Sequence, residues 1–414
     1  MKNLFKSVHQ AMRGSSKNLD KLWDFDSKGS IISSSLVIIQ DKDGGERIVF
    51  GTREGKLYSL DTKGQVQWVY DSKEELPDEE LLFLDIDTVN SINSTPRSFF
   101  SKQGREHIVF GSELGVIYSL DGNGSLLWKL KTDGPIRSMP LIVDIDGDGK
   151  KEIVIGSSDH HIYILSEQGK LLRKIDAGAP VETTPLFVDN KLVTGLKDGR
   201  FVAFNPDGSV SWSVQTGDKI TARAVSTVLG EHHDAILIPS HDNILYALTH
   251  DGEVLWKYET GGAILSEVSI GDVNRDGNKE ICFGSCDNSI YCIDEKGELV
   301  WSYETDFWVT TTPIISDIDN DGKLEIVAGS LDHKLYVLDG EGTYKLNYIP
   351  GISGIVNQPG YHSKTINKDI GNREGKKFCE YQVDGSIVGH TMVGSTGRVI
   401  LNTKQGKIYN LKFK

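Results

Sequence analysis

An all-β chain closed into an eight-bladed β-propeller is the fold this sequence predicts, and three observations predict it. A short strand pattern returns eight times with a period near 45 residues. The last copy stops before its final strand, and a strand of the missing kind stands at the opposite chain end. Such periods mark arrays whose units cannot bury their apolar faces alone.

The most constant element is the third strand of each copy. It reads KLYSL at 56–60, VIYSL at 116–120, HIYIL at 161–165, RFVAF at 200–204, ILYAL at 244–248, SIYCI at 289–293, KLYVL at 334–338 and KIYNL at 407–411. Apolar and polar positions alternate, and Gly, Asn or Asp turns bound each run, which is the pattern of strands. The fourth element closes on Trp68, Trp128, Trp212, Trp256 and Trp301, with Arg173 and Leu346 expected in the same slot of two further copies.

After KIYNLKFK the chain ends, while Trp23 in DKLWDFDSKG precedes Trp68 by the same 45 residues. The N-terminal strand is therefore expected to complete the last blade. An open ring would leave two apolar blade faces wet, and pairing the chain ends in one sheet removes both. Residues 1–414 then form a single propeller domain, with a tail at 1–20 and insertions near 72–92 and 350–390. Insertions of this kind are either surface excursions or binding lids.

The composition, 38% hydrophobic and 25% charged, suits a sizeable core, and 44 glycines suit many tight turns. A net charge of −14 argues against nucleic acid as a partner, because phosphate binding needs clustered Lys and Arg. No apolar run is long enough to span a membrane. The N-terminus lacks an apolar signal region and a cleavage site, so a cytoplasmic location is expected; a trimmed start would read the same, which leaves export open. Four cysteines (Cys282, Cys286, Cys292 and Cys379) form no CxxC pair and read mainly as small core residues.

Three copies carry a nine-residue loop between their first and second strands: DIDGDGKKE at 144–152, DVNRDGNKE at 272–280 and DIDNDGKLE at 317–325. Oxygens at positions one, three, five and nine, with a turn glycine at six, make a cage for a hard cation such as calcium. The ligand set is Asp144, Asp146, Asp148 and Glu152; Asp272, Asn274, Asp276 and Glu280; Asp317, Asp319, Asp321 and Glu325. The seventh-position carbonyls of Lys150, Asn278 and Lys323 complete the three spheres. An Asp/Gly-rich hairpin can turn without a metal, but four clustered acids repel one another unless a cation sits among them. Up to three structural calcium ions are expected. The first copy keeps only DKDGGER at 41–47, which is no site.

These loops, followed by IVIGS, ICFGS or IVAGS, resemble the FG-GAP repeat of integrin α-subunit propellers. The IYxL strand leading to Trp is similar to the PQQ-like repeat of quinoprotein dehydrogenases and of the propeller lipoprotein in the outer-membrane barrel-assembly machinery. The resemblance covers roughly residues 23–350 and 393–414 and implies a structural role for the calcium loops. Quinoprotein dehydrogenases hold PQQ with adjacent cysteines, and none are adjacent here, which argues against PQQ and against dehydrogenase activity. The lipoprotein relative is acylated, and no lipobox occurs here.

A propeller places a site on its axis. The segments expected there are INSTP (92–96), IRSMP (136–140), VETTP (181–185), ITARA (220–224), ILSEV (264–268) and VTTTP (309–313). Among their small residues stand Arg137, Glu182, Arg223 and Glu267. Alternating charge could do acid/base chemistry or bind a polar ligand; it could equally be an ion-pair ring that closes the channel. Histidines such as His160 and His333 recur in the turn before the third strand and read as turn residues. No GxSxG, HExxH or P-loop pattern occurs.

Two functions follow. The first is a non-catalytic, calcium-stabilised scaffold that binds a protein or a small polar or carbohydrate ligand. The alternative is a lyase- or hydrolase-type enzyme with its site on the axis.

Overall fold

The computed structural model describes residues 18–28, 34–40, 44–74, 88–230, 233–344, 373–393 and 397–413. Their strands form eight four-stranded antiparallel blades. In chain order the blades occupy 37–71, 97–131, 141–176, 186–215, 225–259, 269–304, 314–344 with 373–382, and 387–413 with 19–26. First strands of neighbouring blades pack on one another around the axis.

Burial within a blade follows from this arrangement. The middle strands are covered on both faces by neighbouring blades, so Val116–Leu120 and Glu152–Gly156 are buried throughout. Such strands read as continuous apolar runs. Each fully buried Val, Leu, Ile or Phe contributes about 1.5–3 kcal/mol. The outermost strands, such as Val66–Asp71, alternate between exposed and half-buried.

Successive blades are joined by three repeated contacts. The second strand ends on glycine at Gly51, Gly111, Gly156, Gly195, Gly284 and Gly329, against an Ile or Val of the next axial segment. A Cβ on Gly156 would stand 2.5 Å from Val181 Cγ1. Each outer tryptophan donates its indole N–H to a carbonyl of the next blade, and all but Trp301 lie over a left-handed turn glycine there. Trp68 reaches Gly122 O at 3.0 Å, Trp128 reaches Glu167 O at 2.9 Å and Trp212 reaches His250 O at 2.8 Å. The rings of Trp68, Trp128 and Trp212 sit against Gly124, Gly169 and Gly252. Third, Arg47 of blade 1 pairs with Glu106 of blade 2 at 2.6 Å.

The ring closes with the second and third of those contacts. Leu19–Asp26 pairs antiparallel with Lys407–Phe413, and Trp23 lies opposite Asn410 inside the KIYNL segment. Trp23 then docks on Gly64 and donates to Thr62 O at 2.9 Å, while Arg398 of blade 8 pairs with Glu46 of blade 1 at 2.8 Å. The chain ends therefore imitate a continuous repeat.

Arg173 occupies the tryptophan slot of blade 3, opposite Ile164, as expected. Leu346 does not supply that slot in blade 7. It lies outside the described residues, and the fourth strand of that blade is Arg373–Gln382, which puts the buried Cys379 opposite Val337. The reason is the insertion: the chain leaves the blade after Tyr344 and the fourth strand comes from beyond it. Residues 373–390 of the expected insertion are thus partly blade strand. Arg373 and Glu374 also pair in parallel with Trp301 and Ser302, which joins blades 6 and 7 in one sheet and buries Trp301 fully. The other expected insertion is described only at 72–74 and 88–92.

Cys282, Cys292 and Cys379 are buried strand residues, and Cys286 is half-buried. His160 and His333 hold the left-handed turn before the third strand, at φ 74° and 72°. Among the described residues no helix is long and apolar enough to cross a membrane.

Candidate functional site

Two regions gather chemistry, on opposite faces of the ring. The axial residues precede the innermost strands and the acidic loops follow them: Arg137 leads into Leu141–Val143, and Asp144 leaves it.

The three acidic loops share one internal geometry. The ninth-position glutamate turns inward and accepts from the second-position amide: Ile145 N to Glu152 at 2.8 Å, Val273 N to Glu280 at 2.9 Å, Ile318 N to Glu325 at 3.0 Å. The first-position aspartate accepts from the sixth-position glycine at 3.0, 3.1 and 2.9 Å. Those glycines, Gly149, Gly277 and Gly322, take φ of 81°, 90° and 80°, a region an L-residue avoids. The carboxylates of Asp144, Asp146 and Glu152 converge, as do those of Asp317, Asp319 and Glu325.

These carboxylates are crowded. Glu152, Glu280 and Glu325 are nearly inaccessible, and Asp144 Oδ1 is buried with no hydrogen-bond partner. Burial, reinforced by Asp276 and Asp272, pushes Glu280 up to about 7. In that loop the Asn274 amide bridges Asp276 at 3.2 Å and Glu280 at 2.7 Å. Asp148 is met by the Lys150 ammonium at 2.5 Å. An all-oxygen donor set with an orphaned carboxylate oxygen fits a hard divalent cation.

On the opposite face, all four axial residues named from the sequence line one cavity of about 190 Å³. Arg137, from blade 3, is clamped: its Nε and Nη2 donate to Glu113 at 2.6 and 2.9 Å, and its Nη1 donates to Glu182 at 2.6 Å. Glu182 also accepts from Lys197 at 3.0 Å and Ser158 at 3.1 Å. Burial works to raise the Glu182 carboxyl, but Lys197 and Arg137 outweigh it and hold the group below the usual range. Arg223 and Glu267 meet less tightly, at 4.0 Å.

Sequence reading missed Glu113, Lys197 and Arg97. Glu113 and Lys197 share one column with Ser158 and His241, the residue two after the second strand's final glycine or its equivalent. There Glu113, Ser158 and Lys197 donate their backbone amides to Ser91, Pro135 and Pro180, each just ahead of the axial segment of its own blade. Reading that column in register would have found them. Arg97 directly follows the INSTP segment. Burial first, and then the nearby Arg223 charge, lower its guanidinium affinity for protons. Its side chain keeps solvent contact while protein surrounds it, as a group standing in a funnel does.

One further surface feature lies on this face. Phe307 and Trp308 stack with ring centroids 5.4 Å apart and remain 46% and 43% exposed. Their carbonyls are fixed by Thr305 and Ser330, so the pair is held rigidly just before Thr310 and Thr312, which line the cavity.

The chain is similar to the lambda-carrageenase beta-propeller domain family over residues 100–186 and 235–350, just under half its length. A comparison with curated proteins finds no match. The crystal structure of BamB from Moraxella catarrhalis is similar across 96% of this chain and 98% of that one, with a TM-score of 0.64 and 15% identity. That likeness is one of fold.

Proposed function

We propose that this chain is a non-catalytic propeller, stapled by calcium at three loops, that serves as a binding scaffold. The observation carrying this reading is the clamp on Arg137 by Glu113 and Glu182. A general acid at neutral pH needs a carboxyl raised toward that pH, whereas Glu182 is lowered. Arg137, Glu113, Glu182 and Lys197 are engaged with one another and stiffen that side of the channel. The rigid, exposed Phe307–Trp308 pair supports a partner, protein or carbohydrate, on the same face, since aromatic pairs offer large contact area at low entropic cost.

The loops would be of the FG-GAP type, with calcium held by Asp144, Asp146, Asp148 and Glu152, by Asp272, Asn274, Asp276 and Glu280, and by Asp317, Asp319, Asp321 and Glu325. The carbonyls of Lys150, Asn278 and Lys323 would join them. When bound, calcium supplies charge balance to buried acids and fixes the loops that carry the ring's lower rim.

An enzyme of lyase or hydrolase type is the second reading, favoured by the match to carrageenase propellers. One experiment separates the two. Calcium-loaded protein is run through gels containing anionic galactans, and reducing ends are assayed in parallel. Retention without new reducing ends supports the scaffold. Reducing-end release that Glu267→Gln abolishes supports the enzyme.

A further inference from the structure

We propose that the axial cavity is a binding site for an oxoanion group, a carboxylate or a sulfate, received by Arg223 together with the hydroxyls of Ser266 and Thr312. The proposal deepens the scaffold reading by naming the ligand chemistry of the axial cavity.

Three polar atoms around this cavity lack partners among the described residues. Arg223 Nε, Ser266 Oγ and Thr312 Oγ1 are each buried without a hydrogen bond, and Ser266 as a residue is only 6% exposed. All three residues line the cavity, from blades 5, 6 and 7. A guanidinium N–H and two hydroxyls can all donate, and a single acceptor-rich group would satisfy them together. A buried donor without an acceptor is destabilising, and all three belong to residues that line this one cavity.

Charge points the same way. On the Arg137 side, Arg137 and Lys197 balance Glu113 and Glu182. On the Arg223 side, the charged groups among the described residues are Arg97, Arg223 and Glu267, two cations to one carboxylate in a chain of net −14. Arg97 makes no ion pair among the described residues. The volume of about 190 Å³ corresponds to about six waters, room for an oxoanion or for the ring that carries one.

The test is calorimetric titration of the calcium-loaded protein at low ionic strength with three probes: inorganic sulfate, D-galacturonate and neutral D-galactose. Both anions are expected to bind and galactose is not. Arg223→Ala should weaken anion binding at least tenfold, Ser266→Ala about threefold or more, and Lys174→Ala, which removes an equal charge from an outer strand, by less than twofold. A thermal melt establishes that each variant is folded, and Ser266→Ala serves if Arg223→Ala is not. Tighter binding of galacturonate than of sulfate assigns the anion to a sugar; equal binding assigns the site to the free group. Silence of the wild type toward both anions, equal binding of galactose, or unchanged affinity in Arg223→Ala and Ser266→Ala would overturn the proposal. The reducing-end assay bears on the scaffold reading alone, so the two can fail separately.

Discussion

Trp23 donates its indole N–H to the carbonyl of Thr62 at 2.9 Å, from the N-terminal strand that completes blade 8 onto blade 1. Trp68, Trp128, Trp212, Trp256 and Trp301 make the same contact at five other blade junctions. This junction is thus equivalent to the others, and the ring can open only inside blade 8, where Leu19–Asp26 pairs with Lys407–Phe413. Trp23→Phe should cost about 1 kcal/mol, the net worth of one hydrogen bond. Trp23→Ala, which also empties the space over Gly64, should cost about 2–3 kcal/mol. Urea unfolding checks both values. Trp128→Phe, at the blade 2–blade 3 junction, should lose about the same as Trp23→Phe, and a far larger loss at Trp23 would mean that the strand which closes blade 8 bears a load the other junctions do not.

Calcium withdrawal is expected to lower the melting temperature. A ligand present at 100 times its dissociation constant adds about 2.7 kcal/mol per site. Chelation should therefore remove several kcal/mol from a ring with three filled loops. Glu280→Gln and Glu325→Gln each remove one charged ligand and should each lower the stoichiometry by one ion, read by metal analysis after dialysis. A melt that chelator leaves unmoved would sink the calcium reading.

Much of this architecture was legible because a propeller repeats its physics. Each IYxL strand faces the same neighbours, so the same residues recur, and Trp23 could be placed by counting alone. Blade 7 broke the count: Leu346 sits at the right spacing, yet the slot opposite Val337 belongs to Cys379, because a strand supplied from beyond an insertion leaves no trace in the period. On the axis, Arg137, Glu182, Arg223 and Glu267 were legible as departures from a column of small residues. Glu113 and Lys197 were not, since their column varies freely from blade to blade and only the folded blades bring Glu113 to Arg137 and Lys197 to Glu182.

The Glu182 carboxyl titrates below its ordinary value near 4.5 because Lys197 and Arg137 outweigh the cost of burying it. A carboxyl lowered in the folded state contributes stability that is complete above its unfolded value and fades as pH falls through the folded one. Glu182→Gln should accordingly cost about 1–3 kcal/mol at pH 7, the worth of charged hydrogen bonds. Below about pH 4.5 the gap from wild type should narrow. Urea titrations from pH 7 to pH 3.5 measure it. A gap that does not change with pH would mean that packing, rather than ionisation, makes Glu182 matter.

Gly156 ends the second strand of blade 3 with an ordinary backbone, so its glycine is there for space and not for φ. A Cβ would stand 2.5 Å from Val181 Cγ1 and 2.7 Å from the Val181 carbonyl oxygen, in the seam against blade 4. Five other blades keep glycine in this column, while Pro239 and Asn402 hold it in blades 5 and 8. Gly156→Ala should destabilise by about 1–3 kcal/mol through overpacking. Shortening the neighbour should relieve part of that clash, so Gly156→Ala with Val181→Ala should fall short of the sum of the single changes by more than about 0.5 kcal/mol. The relief stays partial because the carbonyl oxygen remains. Strict additivity in a urea-unfolding cycle would show that the glycine column is not what sets the distance between blades.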